Sequence, residues 1–157
     1  HKININKIKI SIKEYSNLLT DKNFWSKIKE ENIMVLQSDC LILRDYDFEN
    51  FKYGMIGPVS LSKYENSFVM NGGFSLRKKD LMMELCNKNK EINVNEDIYF
   101  SNLIRSDYPE LMPSKQECNN FAIESWGNPY TAIGIHGTDK YYCSPELFIE
   151  VFKSLES

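Results

Sequence analysis

Three short stretches carry side chains able to hold a cation, polarise a phosphate or move a proton. The first is "QSD", where Gln37 and Asp39 flank Ser38 at the end of an apolar run. In an extended chain, side chains two apart point to the same side. Asp39 there can ligate a hard cation such as Mg²⁺ or Mn²⁺, and Gln37 can add an amide oxygen; the simpler role is a strand-ending turn cap. The second is "NED", Asn95-Glu96-Asp97, at the start of a helical pattern. Acids at that position complement the helix dipole, and one positioned carboxylate can also serve as a general base. The third is "GIHGTDK", with His136 between two glycines and Lys140 four residues on. Imidazole, carboxylate and lysine together suit a metal-bridged diphosphate, the cation and the lysine drawing charge from the leaving group.

Two further motifs are weaker. Asp45-Tyr46-Asp47 spells a literal D-x-D, but it follows Arg44 in a segment already turning into irregular chain. It reads as a solvated turn, with Asp45 pairing locally to Arg44. "NGG", Asn71-Gly72-Gly73, lets backbone approach a ligand closely, as a plain tight turn also would.

These residues need a frame to position them. The 157 residues carry a formal net charge of −3, 42% hydrophobic and 26% charged residues. That is the composition of a globular domain large enough to bury a core. The basic N-terminal stretch alternates with apolar residues, which disfavours nucleic-acid binding, and no apolar run is long enough to span a bilayer. The four cysteines are isolated and form no C-x-x-C pair, so a finger-type zinc site is not expected and reduced thiols in a cytoplasmic setting are.

Alternation predicts a strand over Ile8–Ile12, followed by helical spacing in "KEYSNLL" and "DKNFWSKIKEEN", with Thr20 or Asp21 as a cap. Ile33–Leu36 reads as a strand buried on both faces, and Cys40–Leu43 as a second. Gly54, Gly57 and Pro58 punctuate a long connection. Then come strand, glycine bend and strand in "FVMNGGFSLR", helices in "KKDLMMELCNKN" and "NEDIYFSNLIRS", and short apolar pieces in "FAIES" and "TAIGIHG". A last helix comes after these, with Ser144 as N-cap and Pro145 at its first position. This alternation predicts an α/β domain with a mostly parallel sheet flanked by helices, whose ligands lie beyond the carboxyl ends of the strands.

Taken in order, "EYSNLLTDKNFW", "VLQSDC", "YGMIG", "NGGFSLR", "NEDIYFSN", "FAIES" and "GIHG" resemble the DUF5672 family of glycosyltransferase-like proteins of the GT-A type. The resemblance covers nearly the whole chain as a single domain, 1–157. It implies a GT-A-like, Rossmann-related fold that lacks the N-terminal nucleotide-binding strands, to be completed by a missing segment or a partner chain. It also implies metal-assisted glycosyl transfer from a nucleotide-sugar donor to a hydroxyl acceptor, using Mn²⁺ or Mg²⁺. On this resemblance Asp39 is similar to the second aspartate of the D-x-D motif, and Gln37 stands in place of the first. Asp39 and His136 are then the metal ligands, Lys140 lies on the diphosphate, and Asn71, Gly72 and Gly73 lie beside the donor sugar. Asp97, or else Glu96, is the base that activates the acceptor. Two other readings of the same residues are a non-catalytic module binding carbohydrate or protein, and a metal-dependent hydrolase using Asp39 and His136.

Overall fold

The computed structural model of the chain describes residues 10–60, 68–88, 93–137 and 145–155. Of the predicted strand Ile8–Ile12, the first two residues lie outside them, and the rest is not a strand: Ser11 caps a helix that begins at Ile12. Helix α1 spans Ile12–Leu19, opened by Ser11, whose hydroxyl accepts from the Glu14 amide while the Glu14 carboxylate returns to the Ser11 amide. This reciprocal cap satisfies two donors that a helix start leaves free. One further turn, α2 (Lys22–Trp25), is capped by Asp21 rather than Thr20, which closes α1. Trp25 is fully buried, its indole nitrogen donating to the Leu19 carbonyl at 2.6 Å.

The strands are short: β1 Asn32–Leu36, β2 Cys40–Ile42, β3 Met55–Ile56, β4 Val59–Ser60, β5 Val69–Met70, β6 Phe74–Lys78, β7 Ala122–Ile123 and β8 Gly134–His136. The helices between and after them are α3 (Lys79–Leu85), α4 (Glu96–Asp107), α5 (Lys115–Phe121) and α6 (Pro145–Leu155), with a 3₁₀ turn at Pro109–Leu111. The predicted cap Ser144 lies outside the described residues. Helix α5 arises in what reads as a polar loop, from a second reciprocal cap between Ser114 and Glu117.

The mostly parallel, GT-A-like sheet expected from the sequence is not what forms. One three-stranded sheet has the order β1-β6-β3 with both pairings antiparallel. A second has the order β2-β8-β7, in which β2 runs antiparallel to β8 and only β7 is parallel to it. Strands β4 and β5 form an antiparallel pair. The physical reason is in the connections. Parallel neighbours are usually joined by a crossover helix, and among the described residues β1 to β6 follow one another with no helix between them. Apolar continuity at Ile33–Leu36 also misled, because β1 is half-buried and Leu36 is 44% exposed.

Strand β6 is buried on both faces. Phe74 and Leu76 on one side and Ser75 and Arg77 on the other are each 0% exposed. Its apolar side joins the main core with Met55, Ile56, Met82, Phe100 and Phe121. Its polar side faces the start of α4. A smaller cluster of Ile123, Ala132, Ile135 and Val151 seats α6 behind β8. Arg44 ties that helix down, donating to the Ala132 carbonyl at 2.8 Å and the Ser154 hydroxyl at 2.6 Å. The literal D-x-D is a turn: Asp47 accepts from the Glu49 amide at 3.0 Å and the Asn50 side chain at 2.5 Å.

Candidate functional site

The C-terminal ends of β1, β5, β7 and β8 deliver Gln37, Asn71, Glu124 and His136 to one cavity of about 290 Å³. Gly72, Gly73, Glu96, Asp97 and Tyr15 complete its reactive wall. A neighbouring groove of about 460 Å³ shares Ile12, Tyr15 and Gln37 with it and adds Ser38 and Asp39. The "QSD", "NGG", "NED" and "GIH" stretches, distant in sequence, therefore meet. Lys140 lies outside the described residues.

His136 is the hub and is 4% exposed. Its Nδ1 lies 3.1 Å from Glu124 Oε1, and its Nε2 lies 3.1 Å from Gln37 Oε1 and 3.6 Å from Asp39 Oδ1. A carboxylate beside Nδ1 favours the tautomer with its proton there, and the Nε2 edge of the ring faces the oxygens of Gln37 and Asp39. The Asp39 oxygen and His136 Nε2, 3.6 Å apart, are close enough to ligate one cation. Cys40 stands directly across the β2–β8 ladder from His136. The Asp39 oxygen, Cys40 sulfur and His136 nitrogen all lie within 4.8 Å of one another.

The "NGG" bend locks into this arrangement. The Asn71 side chain accepts from the Gly73 amide at 2.7 Å and donates to Glu124 Oε1 at 2.9 Å. The Gly73 carbonyl accepts from the Gln37 amide at 2.8 Å, extending the β1–β6 ladder to the cavity. Glycine is required here by space rather than by backbone angle. A Cβ on Gly73 would stand 2.2 Å from His136 Nε2, and one on Gly72 would stand 2.0 Å from Glu96 Oε1. Gly73→Ala must displace the imidazole. It is expected to cost about 1–3 kcal/mol as overpacking, read by denaturant unfolding, and to remove cation-dependent stabilisation. Unchanged unfolding would show that the bend tolerates a side chain.

The two "NED" carboxylates sit in different environments. Glu96 is 3% exposed, and both its oxygens are taken by Arg77, at 2.6 and 3.0 Å. The same guanidinium donates to the Gly72 carbonyl at 3.1 Å and the Ser75 hydroxyl at 2.9 Å, and lies over the rings of Trp25 and Phe100. Asp97 is half-buried, with Oδ1 accepting from the Ile98 amide at 2.7 Å. Burial, then the charge of Glu96, raises its carboxyl above the usual range. Burial likewise raises the Tyr15 hydroxyl, leaving it a neutral donor beside Gln37.

Glu124 and Arg77 are site residues the motifs did not single out. Glu124 follows the apolar piece "FAI" directly, so the strand-exit rule that selected Asp39 and His136 would have found it. Arg77 lies within a strand whose polar side is buried, and alternation alone reads such a side as solvent-facing.

The molecule is thus a mixed α/β domain whose strand ends surround an acid- and histidine-lined cavity. Residues 2–136 match DUF5672, described as a protein of unknown function, and the chain belongs to that family. No curated protein and no solved structure shows a significant match to it. Among the described residues, no helix is long and apolar enough to cross a membrane.

Proposed function

We propose that this domain transfers a sugar from a nucleotide-sugar donor to a hydroxyl acceptor, with a divalent cation held at Asp39 and His136. The observation that carries the reading is the convergence of Gln37, Asn71-Gly72-Gly73, Asp97 and His136 on one cavity. The ordered motifs that resemble glycosyltransferase-like proteins support it.

In this reading Asp97 takes the acceptor proton. The acceptor oxygen bonds to the anomeric carbon, and the bond from that carbon to the donor diphosphate breaks. A carboxylate whose proton affinity is raised by burial is a better base near neutrality than an ordinary one. Glu96, engaged by Arg77, holds the Gly72 turn and the helix start instead. Asn71 and the two glycines shape the wall against the donor sugar, and Lys140 is assigned to the diphosphate. The cation would neutralise the departing diphosphate. The Asp39 carboxylate and the His136 imidazole, 3.6 Å apart, are chemically suited to it, and the Gln37 amide oxygen lies beside them, 3.1 Å from Nε2.

The test is a thermal-shift and donor-hydrolysis panel of uridine, guanosine and cytidine nucleotide-sugars, each with and without Mn²⁺, Mg²⁺ and Zn²⁺. At a hundredfold excess over Kd, a bound donor stabilises by about 2.7 kcal/mol. Stabilisation and hydrolysis by one donor, dependent on the cation, are expected. Stabilisation without turnover would favour a carbohydrate-binding module, and neither response would overturn the proposal.

A further inference from the structure

We infer that Cys40 is a third protein ligand of the cation, joining Asp39 and His136 in a site selective for Zn²⁺ over Mg²⁺ or Mn²⁺. This deepens the reading above and rests on it only in placing a cation between Asp39 and His136.

The geometry comes from the second sheet. In the β2–β8 register Cys40 pairs with His136, so the two side chains project from the same face of neighbouring strands. Asp39 is anchored at the strand entrance, its carbonyl accepting from the Gly137 amide at 3.0 Å. Metal–ligand bonds of 2.0–2.3 Å in a tetrahedron place the ligand atoms roughly 3.3–3.8 Å apart. Asp39 Oδ1 and His136 Nε2 already stand at 3.6 Å, and the sulfur lies within 4.8 Å of both ligand atoms. Closing the site therefore asks for a small inward movement of one thiol.

Chemistry then chooses the metal. One carboxylate and one imidazole form a sparse set for a hard cation that prefers six oxygen ligands. Adding a thiolate makes an N, O, S set, which suits a borderline-soft ion and leaves a fourth tetrahedral position open, as catalytic zinc sites do. Binding replaces the Cys40 S–H bond by a sulfur–metal bond and releases that proton to solvent. The thiol donates to the Gly73 carbonyl at 3.0 Å, and that carbonyl keeps the Gln37 amide as a partner when the proton leaves. Glu124, bonded to His136 Nδ1, is the outer carboxylate that orients the imidazole. Cys86 and Cys118 do not compete well, because burial pushes each thiol up to about 12.

The experiment is anaerobic titration of the full chain with Co²⁺ alone, followed by displacement with Zn²⁺. The near-ultraviolet charge-transfer band of a cobalt thiolate is expected in the native protein and is expected to bleach as Zn²⁺ enters. Cys40→Ser should abolish the band while far-ultraviolet circular dichroism stays native. Glu124→Gln should keep the band and weaken Zn²⁺ binding about 10–100-fold. Absence of the band in the native protein, or its persistence in Cys40→Ser, would overturn the assignment. So would equal Zn²⁺ affinity in native and Cys40→Ser proteins. A band with no donor turnover would sink glycosyl transfer and leave the thiolate site standing. Cation-dependent turnover without a band would do the reverse.

Discussion

Replacing Glu96 with alanine is expected to destabilise the fold by about 3–5 kcal/mol, because it strands a buried guanidinium. Arg77 has no exposed side-chain surface, and Glu96 supplies two of the four hydrogen bonds seen at its guanidinium. Against a typical total of about 5–15 kcal/mol, that loss leaves the domain marginal. The measurement is the urea midpoint with the slope held constant, so that compactness of the unfolded state is not mistaken for stability. A loss below about 1 kcal/mol would place the pair in the weak class of exposed ion pairs and refute the argument from burial.

A second variant separates stability from architecture. Exchanging both partners for apolar residues, Arg77→Met with Glu96→Leu, removes the charges together and should recover much of the loss. The Gly72 carbonyl would nevertheless lose its guanidinium donor, and the first turn of α4 its tie to β6. A stable double variant that no longer responds to donor and cation would assign the pair to shaping the cavity. A stable double variant with native responses would show that packing alone sets the wall.

The particular places where sequence and structure part company have a common cause. Local signals hold where the chemistry is local: Asp21 caps α2, α4 begins at "NED", and Asp47 forms the turn that makes the literal D-x-D a poor ligand pair. Strand direction is not local. The run Ile33–Leu36 reads alike whether its neighbour is parallel or antiparallel, and its partner β6 lies about forty residues away. Positions at strand exits remain informative without parallelism, since the residues just beyond β1, β5 and β7 line the cavity together with the last residue of β8. Arg77 is hidden for a different reason: a charged residue can be buried on a strand only because Glu96, on another element, is there to pair with it.

The other large effect belongs to Asp97. Asp97→Asn is expected to lower donor hydrolysis by about 10²–10⁴-fold, the usual contribution of a positioned base. The thermal midpoint at neutral pH should be unchanged or higher. The asparagine oxygen can keep the Ile98 amide bond, while the partly buried negative charge beside Glu96 disappears. The sign comes from linkage. Folding raises the Asp97 pKa above its unfolded value, so its contribution to stability is fully present below the unfolded value. It is lost as pH rises through the folded value. The stability advantage of the variant should therefore open as the medium is made less acidic and close again in acid. Native hydrolysis should run the other way, falling in acid with a limb above the ordinary aspartate value of about 3.9. That limb should vanish from the residual activity of the variant. Native rates in Asp97→Asn would remove it as the base. A lost rate accompanied by a lowered midpoint at every pH would instead assign Asp97 to holding the start of α4, through the same Ile98 amide that the asparagine was chosen to preserve.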